Sequence, residues 1–326
     1  MWHLSRGAVY ATDHANAAQT LLFNILTKSW DKELLELFGI PPSILPSILP
    51  TSSYYGDAFI EGLTIPIHAS ITEHQASLMG NGCFQEGDVY LHYEKDGYIL
   101  INTAKKIFIM PELLTTIGWS NNGHTAYLLE GTLKAVGSLF EWMRENLGIL
   151  SPKDDIDDIC RRSDERLYML PAISGLGSPH WNTVTKGSIF GLKSSTKRED
   201  IIRAAVESIA YLVKDNLSVI ERDGRIQIKR VIAGGHVSDI PYLLQFQSDL
   251  LQQPLYKARE KDPTIVGVAF LAGLSLKVWQ GLYSLEGLIN NRKAFHPKLE
   301  DSDVRKLYER WKLTCHYSKE WSKNLS

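Results

Sequence analysis

The residues with the most chemical potential lie between Ile67 and Thr103, in the string I-H-A-S-I-T-E-H-Q-A-S-L-M-G-N-G-C-F-Q-E-G-D-V-Y-L-H-Y-E-K-D-G-Y-I-L-I-N-T. Its pattern predicts an apolar strand ending at Thr72-Glu73-His74, a short helix, and two strands joined by Glu94-Lys95-Asp96-Gly97. A carboxylate at a strand exit, beside a turn, stands where proton-transfer groups are commonly mounted, because such turns carry function on a rigid frame. Glu73 is therefore a candidate acid or base, and the plainer alternative is a solvated turn residue.

A second candidate is Gly234-Gly235, after an apolar strand and before a helix. That arrangement lets backbone N–H groups and a helix dipole face an anionic or nucleotide ligand, although two glycines also make an ordinary tight turn. The string L-P-A-I-S-G-L-G-S-P-H-W-N, Leu170 to Asn182, followed by G-S-I-F-G-L at Gly187 to Leu192, packs Gly, Pro and Trp into a loop of unusual backbone angles.

The elements that must position these residues are legible in outline. Ala8 to Asp13 reads as a strand, Trp30 to Phe38 as a short amphipathic helix, and P-S-I-L-P-S-I-L-P at Pro42 to Pro50 as a linker or surface turn. Val89 to Tyr93, Tyr98 to Asn102, Leu114 to Trp119 and Thr125 to Leu129 predict a β-meander, and Leu133 to Leu147 a helix. Ser151-Pro152 opens an acidic helix through Arg162, and the capping box at Thr196 to Glu199 precedes a long helix ended by Asp223-Gly224. The last third alternates: strand Lys229 to Ala233, helix Ile240 to Leu251, strand Pro254 to Lys257, helix Thr264 to Gly281, and a polar helix from Ser302. This predicts an α/β domain with helices packed on a central sheet.

Composition bounds the function. With 326 residues, 44% hydrophobic and 22% charged, the chain is long enough for two domains and too apolar for disorder. A net charge of −2 supplies no footprint for nucleic acid or an anionic membrane. The three cysteines, Cys83, Cys160 and Cys315, lack disulfide or zinc spacing, and the histidines, including His68, His74 and His236, lack metal-ligand spacing, so no metal site is expected. The N-terminus has no signal-peptide pattern and Ile265 to Leu276 is too short to span a bilayer, which together with the cysteines suits a cytoplasmic location.

The Leu170 to Asn182 string with K-G-S-I-F-G-L resembles the signature of the FGGY carbohydrate kinases, glycerol kinases in particular. A-T-D-H-A-N-A-A-Q-T-L-L-F-N-I, L-L-T-T-I-G-W, L-L-E-G-T-L, R-A-A-V-E-S-I-A-Y, Q-F-Q-S-D-L-L and G-V-A-F-L-A-G-L resemble the same family in order and spacing. The resemblance implies an α/β fold of the actin and hexokinase (ribonuclease H-like) type. Residues 1–65 would be the remnant of the first FGGY domain and 66–326 the C-terminal, nucleotide-side domain. It also implies that the D-x-G-T-T-type phosphate loop and most of the polyol pocket lie outside this chain. The implied activity is ATP- and Mg²⁺-dependent phosphorylation of glycerol or a similar polyol, impaired in the isolated chain. The alternative is a non-catalytic kinase-like protein that forms homo-oligomers or joins a kinase-like partner chain.

By the same resemblance Glu73 replaces a catalytic Asp, His74 a polyol-contacting Gln, and Tyr98 an aromatic that packs on the polyol. A longer carboxylate moves the base by about an ångström, a displacement that can cost roughly 10²-fold in rate. The phosphate-binding G-T-G turn of the family falls on Glu94-Lys95-Asp96, which places two carboxylates before an anion, with Lys95 as partial offset. Gly137 and Gly235 keep nucleotide-site glycines, Glu141 replaces a Gln, Asp239 an adenine-contacting Asn, and Ala233 an Asp.

Overall fold

Asp13 shows how the sequence organises its own start. It closes the short strand β1 (Ala11–Asp13), and its carboxylate accepts the N–H groups of Ala15 and Asn16 at 2.8 and 3.0 Å, capping helix α1 (His14–Gln19). The Ser70 hydroxyl donates to the same carboxylate at 2.9 Å, so this corner is tied to a distant segment. Burial pushes the Asp13 carboxyl above its ordinary range, while these donors pull it back. The Pro-rich stretch is more than a linker: Ser47–Leu49 forms strand β2, parallel to β1. Pro46 and Pro50 bracket β2 and remove no ladder donor from inside it. An antiparallel pair follows, β3 (Ser52–Ile60) and β4 (Leu63–Ala69). The structure is a computed structural model and describes residues 1–121, 123–259, 262–289 and 293–323.

Helix α2 (Glu73–Gly80) leads into the main sheet. Its strands are β5 (Asp88–Tyr93), β6 (Gly97–Ala104), β7 (Leu114–Asn121), β8 (His124–Leu133), β9 (Arg230–Gly234), β10 (Leu255–Lys257) and β11 (Lys293–Phe295). They lie in the order β11-β10-β9-β5-β6-β8-β7, with β9 parallel to β5 and β10 and every other pair antiparallel. The four strands expected as a meander are present, but β8 returns between β6 and β7, where Leu128 pairs with Asn102 on one side and Thr116 on the other. The physical reason is burial: β8 is buried over nearly its whole length and takes a central place, leaving an outer position to the more polar β7.

Strand alternation sends the side chains of β5 into two cores. Val89, Leu91 and Tyr93 pack on one face, with α3 (Gly137–Glu145), α4 (Arg198–Asp223) and α5 (Pro241–Leu251). Tyr90 packs on the other, with α2 and α6 (Pro263–Ser275). Helix α4 begins where the Asp200 carboxylate accepts the Lys197 N–H at 2.8 Å and ends at Gly224, whose φ of 72° is the left-handed stop that glycine permits. The terminal helix α7 (Asp301–Lys323) buries Trp311 against Tyr211 of α4, the rings stacked at 4.9 Å. The acidic helix starts at Ile156, not at Ser151, because Asp155 supplies the cap to Asp158.

Helices α2 and α6 cross at backbone contact. A Cβ on Gly80 would lie 1.9 Å from the Pro263 carbonyl oxygen, and one on Gly267 1.9 Å from that of Ala76. The apolar run beyond Ser275 is not helix: Lys277 adopts φ 59° and the chain doubles back, bringing Trp279 over Gly273, where a Cβ would sit 2.0 Å from the indole. Gly267→Ala is expected to destabilise the protein by roughly 1–3 kcal/mol through overpacking, read as a lowered urea midpoint, whereas Gly287→Ala, which meets nothing within 4 Å, leaves the midpoint close to wild type.

Candidate functional site

Strands β5 and β9 run side by side, with Gly234 registered on His92, and both end at the same edge of the sheet. In open α/β sheets ligands are taken at such carboxyl ends. The chain leaves β5 through the turn Glu94-Lys95-Asp96 and leaves β9 through Gly235 into a 3₁₀ turn, His236–Asp239, before α5. The helix expected from Ile240 to Leu251 follows that turn and runs from Pro241, which sets its first position, with Ile240 as the cap residue.

Glycine is required where these turns meet. Gly235 has φ 86°, and a Cβ there would lie 2.4 Å from the Tyr93 carbonyl oxygen. A Cβ on Gly137, at the start of α3, would lie 2.7 Å from the Glu94 carbonyl, which instead accepts the Gly137 N–H at 2.8 Å. Both glycines are explained by contact between backbones, without a ligand.

That contact seats Glu94 against the 3₁₀ turn. Its carboxylate accepts the His236 backbone N–H at 3.0 Å and also the His236 ring Nδ1. Lys95 lies 3.4 Å from Glu141, an exposed pair of small energetic weight. Asp239 pairs with Lys257 at 2.6 Å, at the far end of the turn. The structure therefore brings Lys95, Gly137, Glu141 and Gly235 together around Glu94, while Asp239 belongs to a neighbouring ion pair.

On the other side of β5, Glu73 is the first residue of α2 and is exposed to solvent. The strand before it ends at Ala69, so the carboxylate is carried on a helix start, not on a strand exit. The His74 and Tyr98 rings pack at a 35° tilt, ring centroids 3.7 Å apart, with the His92 ring 5.6 Å from His74. His92 shares a 3.1 Å hydrogen bond with the Tyr90 hydroxyl, which packs against Gly234. Burial holds His74 down at about 4, with His92 adding to the effect and Glu73 opposing it, so at neutral pH the ring is uncharged. Burial also lowers His92, against the pull of Glu94 and Glu73. Tyr90, His92 and the Glu94–His236 contact were not singled out as site residues from the sequence. The alternation of Y-L-H-Y-E was the available signal, since Tyr90, His92 and Glu94 fall on one strand face.

Metal-ligand spacing was absent in the sequence, yet His180, Asp215 and Cys315 converge in space, their ligand atoms within 4.8 Å of one another. The geometry is that of a hydrogen-bonded core: Asp215 accepts from His180, Trp311 and Tyr308 at 2.9, 2.9 and 2.7 Å, and Lys319 lies 2.8 Å from the second nitrogen of His180. Three donors on one carboxylate and a cation on the imidazole satisfy the group.

The profile for the FGGY family of carbohydrate kinases, C-terminal domain, matches residues 99–276, and that for the N-terminal domain of the same family matches residues 1–80. The chain is 36% identical over 328 residues to a glycerol kinase of Francisella tularensis subsp. holarctica, and 36% identical over 318 residues to one of Thermococcus onnurineus. These alignments take in 99% and 96% of this chain, and 65% and 64% of the two relatives. Among solved structures, Plasmodium falciparum glycerol kinase with ADP superposes with a TM-score of 0.90 at 29% identity, covering 97% of this chain and 65% of that one. A ligand-bound xylulose kinase from Lactobacillus acidophilus, 22% identical, shares the fold with a TM-score of 0.85, covering 100% and 67%. The chain thus spans about two thirds of the length of the relatives it matches. No helix among the described residues is long and apolar enough to cross a membrane.

The His74 assignment has a pH signature. Unfolded, the ring takes a proton as pH falls through about 6.5, whereas folded it resists until about 4, so stability is complete above 6.5 and lost between 6.5 and 4. His74→Phe is expected to flatten the fall of the urea midpoint across that window, and the ring of wild-type His74, followed by NMR, is expected to titrate near 4.

Proposed function

This chain belongs to the FGGY family of carbohydrate kinases, and we propose that it is a glycerol-kinase-like protein that keeps a carboxylate, Glu73, in the place of the proton-abstracting base while phosphoryl transfer by the isolated chain is disabled. The family reaction would move the γ-phosphoryl of Mg-ATP to a hydroxyl of glycerol or a similar small polyol. Such transfer depends on positioning and on neutralising phosphate charge from both walls of a cleft.

The observation that carries the reading is the Glu94 carboxylate on His236. A backbone N–H beside a glycine turn is a donor for a phosphate oxygen, and here an internal carboxylate takes it. Asp96 adds a second carboxylate to the same turn, and Lys95 is drawn toward Glu141. The residues present therefore do not fit a nucleoside triphosphate at this turn. His74, tilted against Tyr98, likewise presents an aromatic ring where a Gln would offer an amide. Glu73 is exposed, and in this reading its carboxylate would accept the proton of an alcohol.

A second reading, a non-catalytic subunit, is favoured by the β3–β4 pair. Among the described residues these strands pair only with each other, and they expose Phe59, Ile60, Leu63 and Ile65. An unpaired edge with apolar side chains suits association with a second copy or a kinase-like chain.

The test is calorimetric titration with Mg-ADP and a coupled assay with glycerol and Mg-ATP. Wild type is expected to show no turnover and weak or no Mg-ADP binding, and Glu94→Gly is expected to strengthen Mg-ADP binding by about tenfold, corresponding to ~1.4 kcal/mol of relieved repulsion. Turnover by the isolated wild-type chain that disappears in Glu73→Ala overturns the proposal.

A further inference from the structure

Away from the ends of β5 and β9, the doubling back of the chain after α6 builds a second concave site. With Lys277 at φ 59°, Trp279 folded over Gly273 and the Val278 N–H bonded to the Gly273 carbonyl at 2.8 Å, residues 279–282 form one wall. The opposite wall comes from the end of β7, the start of β8 and the start of β3. The cavity between them measures about 350 Å³, and a second hollow of about 480 Å³ adjoins it, the two sharing Ser52, Asn121, Leu274 and Lys277. A lysine in the left-handed region is strained where glycine would be relaxed, and such strain points to a side chain whose placement matters.

The lining has one electrostatic sense. Lys277 and His124 face the first hollow and His68 the second, and among the described residues no carboxylate lines either. Lys277 makes no ion pair among the described residues. Lys105 and Lys28 stand close enough to act on His124, whose ring is lowered first by burial and then by these two cations. His14 shares a 2.8 Å hydrogen bond with Ser120 of the lining and also feels Lys28. Asp57 accepts the hydroxyl of Tyr54, a residue of the second hollow, at 3.0 Å. Ser52, Ser53 and Asn121 supply uncharged polar groups, and Trp119 and Trp279 supply flat apolar walls.

We propose that this groove binds a small hydroxylated phosphomonoester, its phosphate held by Lys277 and His124 and its carbon skeleton laid against Trp279. Lys277 in the lining, with Lys28 and Lys105 close behind His124 and no carboxylate among the described lining residues, concentrates an anion in a partly enclosed hollow, where the uncharged His124 ring offers an N–H. The volume of the first hollow, at the small end for a ligand pocket, suits a ligand of a few carbons. The inference does not depend on the reading of Glu73 and Glu94, since none of its residues touches that site.

The experiment is calorimetric titration of the full chain with a three-carbon polyol monophosphate, with inorganic phosphate and with the unphosphorylated polyol, while the Trp279 indole is followed by NMR. Wild type is expected to bind the monophosphate saturably, inorganic phosphate more weakly and the neutral polyol not at all, with the Trp279 signal shifting. Lys277→Gln is expected to weaken monophosphate binding by about tenfold with circular dichroism unchanged, and His124→Gln to weaken it by a smaller factor. Glu73→Ala is expected to bind as wild type does, so failure of the cleft reading leaves this result intact. Absence of saturable binding, indifference to Lys277→Gln, or displacement by Mg-ADP, which would locate the ligand in the cleft, overturns the proposal.

Discussion

At the carboxyl ends of β5 and β9, two backbone turns approach so closely that only glycine can stand between them. The Tyr93 and Glu94 carbonyls occupy the space where side chains of residues 235 and 137 would be. From this contact come the parallel register of Gly234 on His92, the seating of α3 on the hairpin, and the reach of the Glu94 carboxylate to the His236 N–H. The same closeness that would let a backbone approach a phosphate here lets a side chain of the protein substitute for one. A donor that already holds a carboxylate gains nothing from exchanging it for another anion unless the newcomer brings more contacts.

The two cores on either side of the sheet hold the frame independently of the turns at its edge. Tyr90, Leu100 and Leu128 pack against α2 and α6, whereas Leu91, Ile99 and Leu129 pack against the α3–α4–α5 layer. None of these residues depends on what the turn beyond Tyr93 contains, so Glu94, Lys95 and Asp96 stand there with little cost to the sheet. The hydrogen bonds on Asp215 do for α7 what the glycine contact does for the hairpin, fixing a distant segment of chain by satisfying one buried group.

Much of this frame could be read from residue order. Period-2 alternation in β5 through β8, the stop at Gly224 and the small residues of α6 are local signals, and the structure bears them out. Three features were not legible for the same reason, which is that their cause lies elsewhere in the chain. Ser47–Leu49 became a strand because β1 offers it a parallel edge. Strand β8 entered between β6 and β7 because burial, not sequence order, sets the centre of a sheet. Glu94 met His236 across 142 positions, a pairing for which neither neighbourhood carries a mark. The family resemblance pointed to the turn at Glu94-Lys95-Asp96, and the fold shows that Glu94 touches His236.

The strand order also bears on how the chain folds. Strands β5, β6, β8 and β7 lie between residues 88 and 133 and pair through short-range antiparallel contacts, whereas β9 joins β5 only after a long excursion through α3 and α4. Loop closure makes the first set cheap to form and the second dear, so the hairpin carrying Glu94 assembles before the glycine turn arrives. The carboxylate is then a waiting acceptor for His236, and the last parallel strand docks onto a site whose occupant is already part of the molecule.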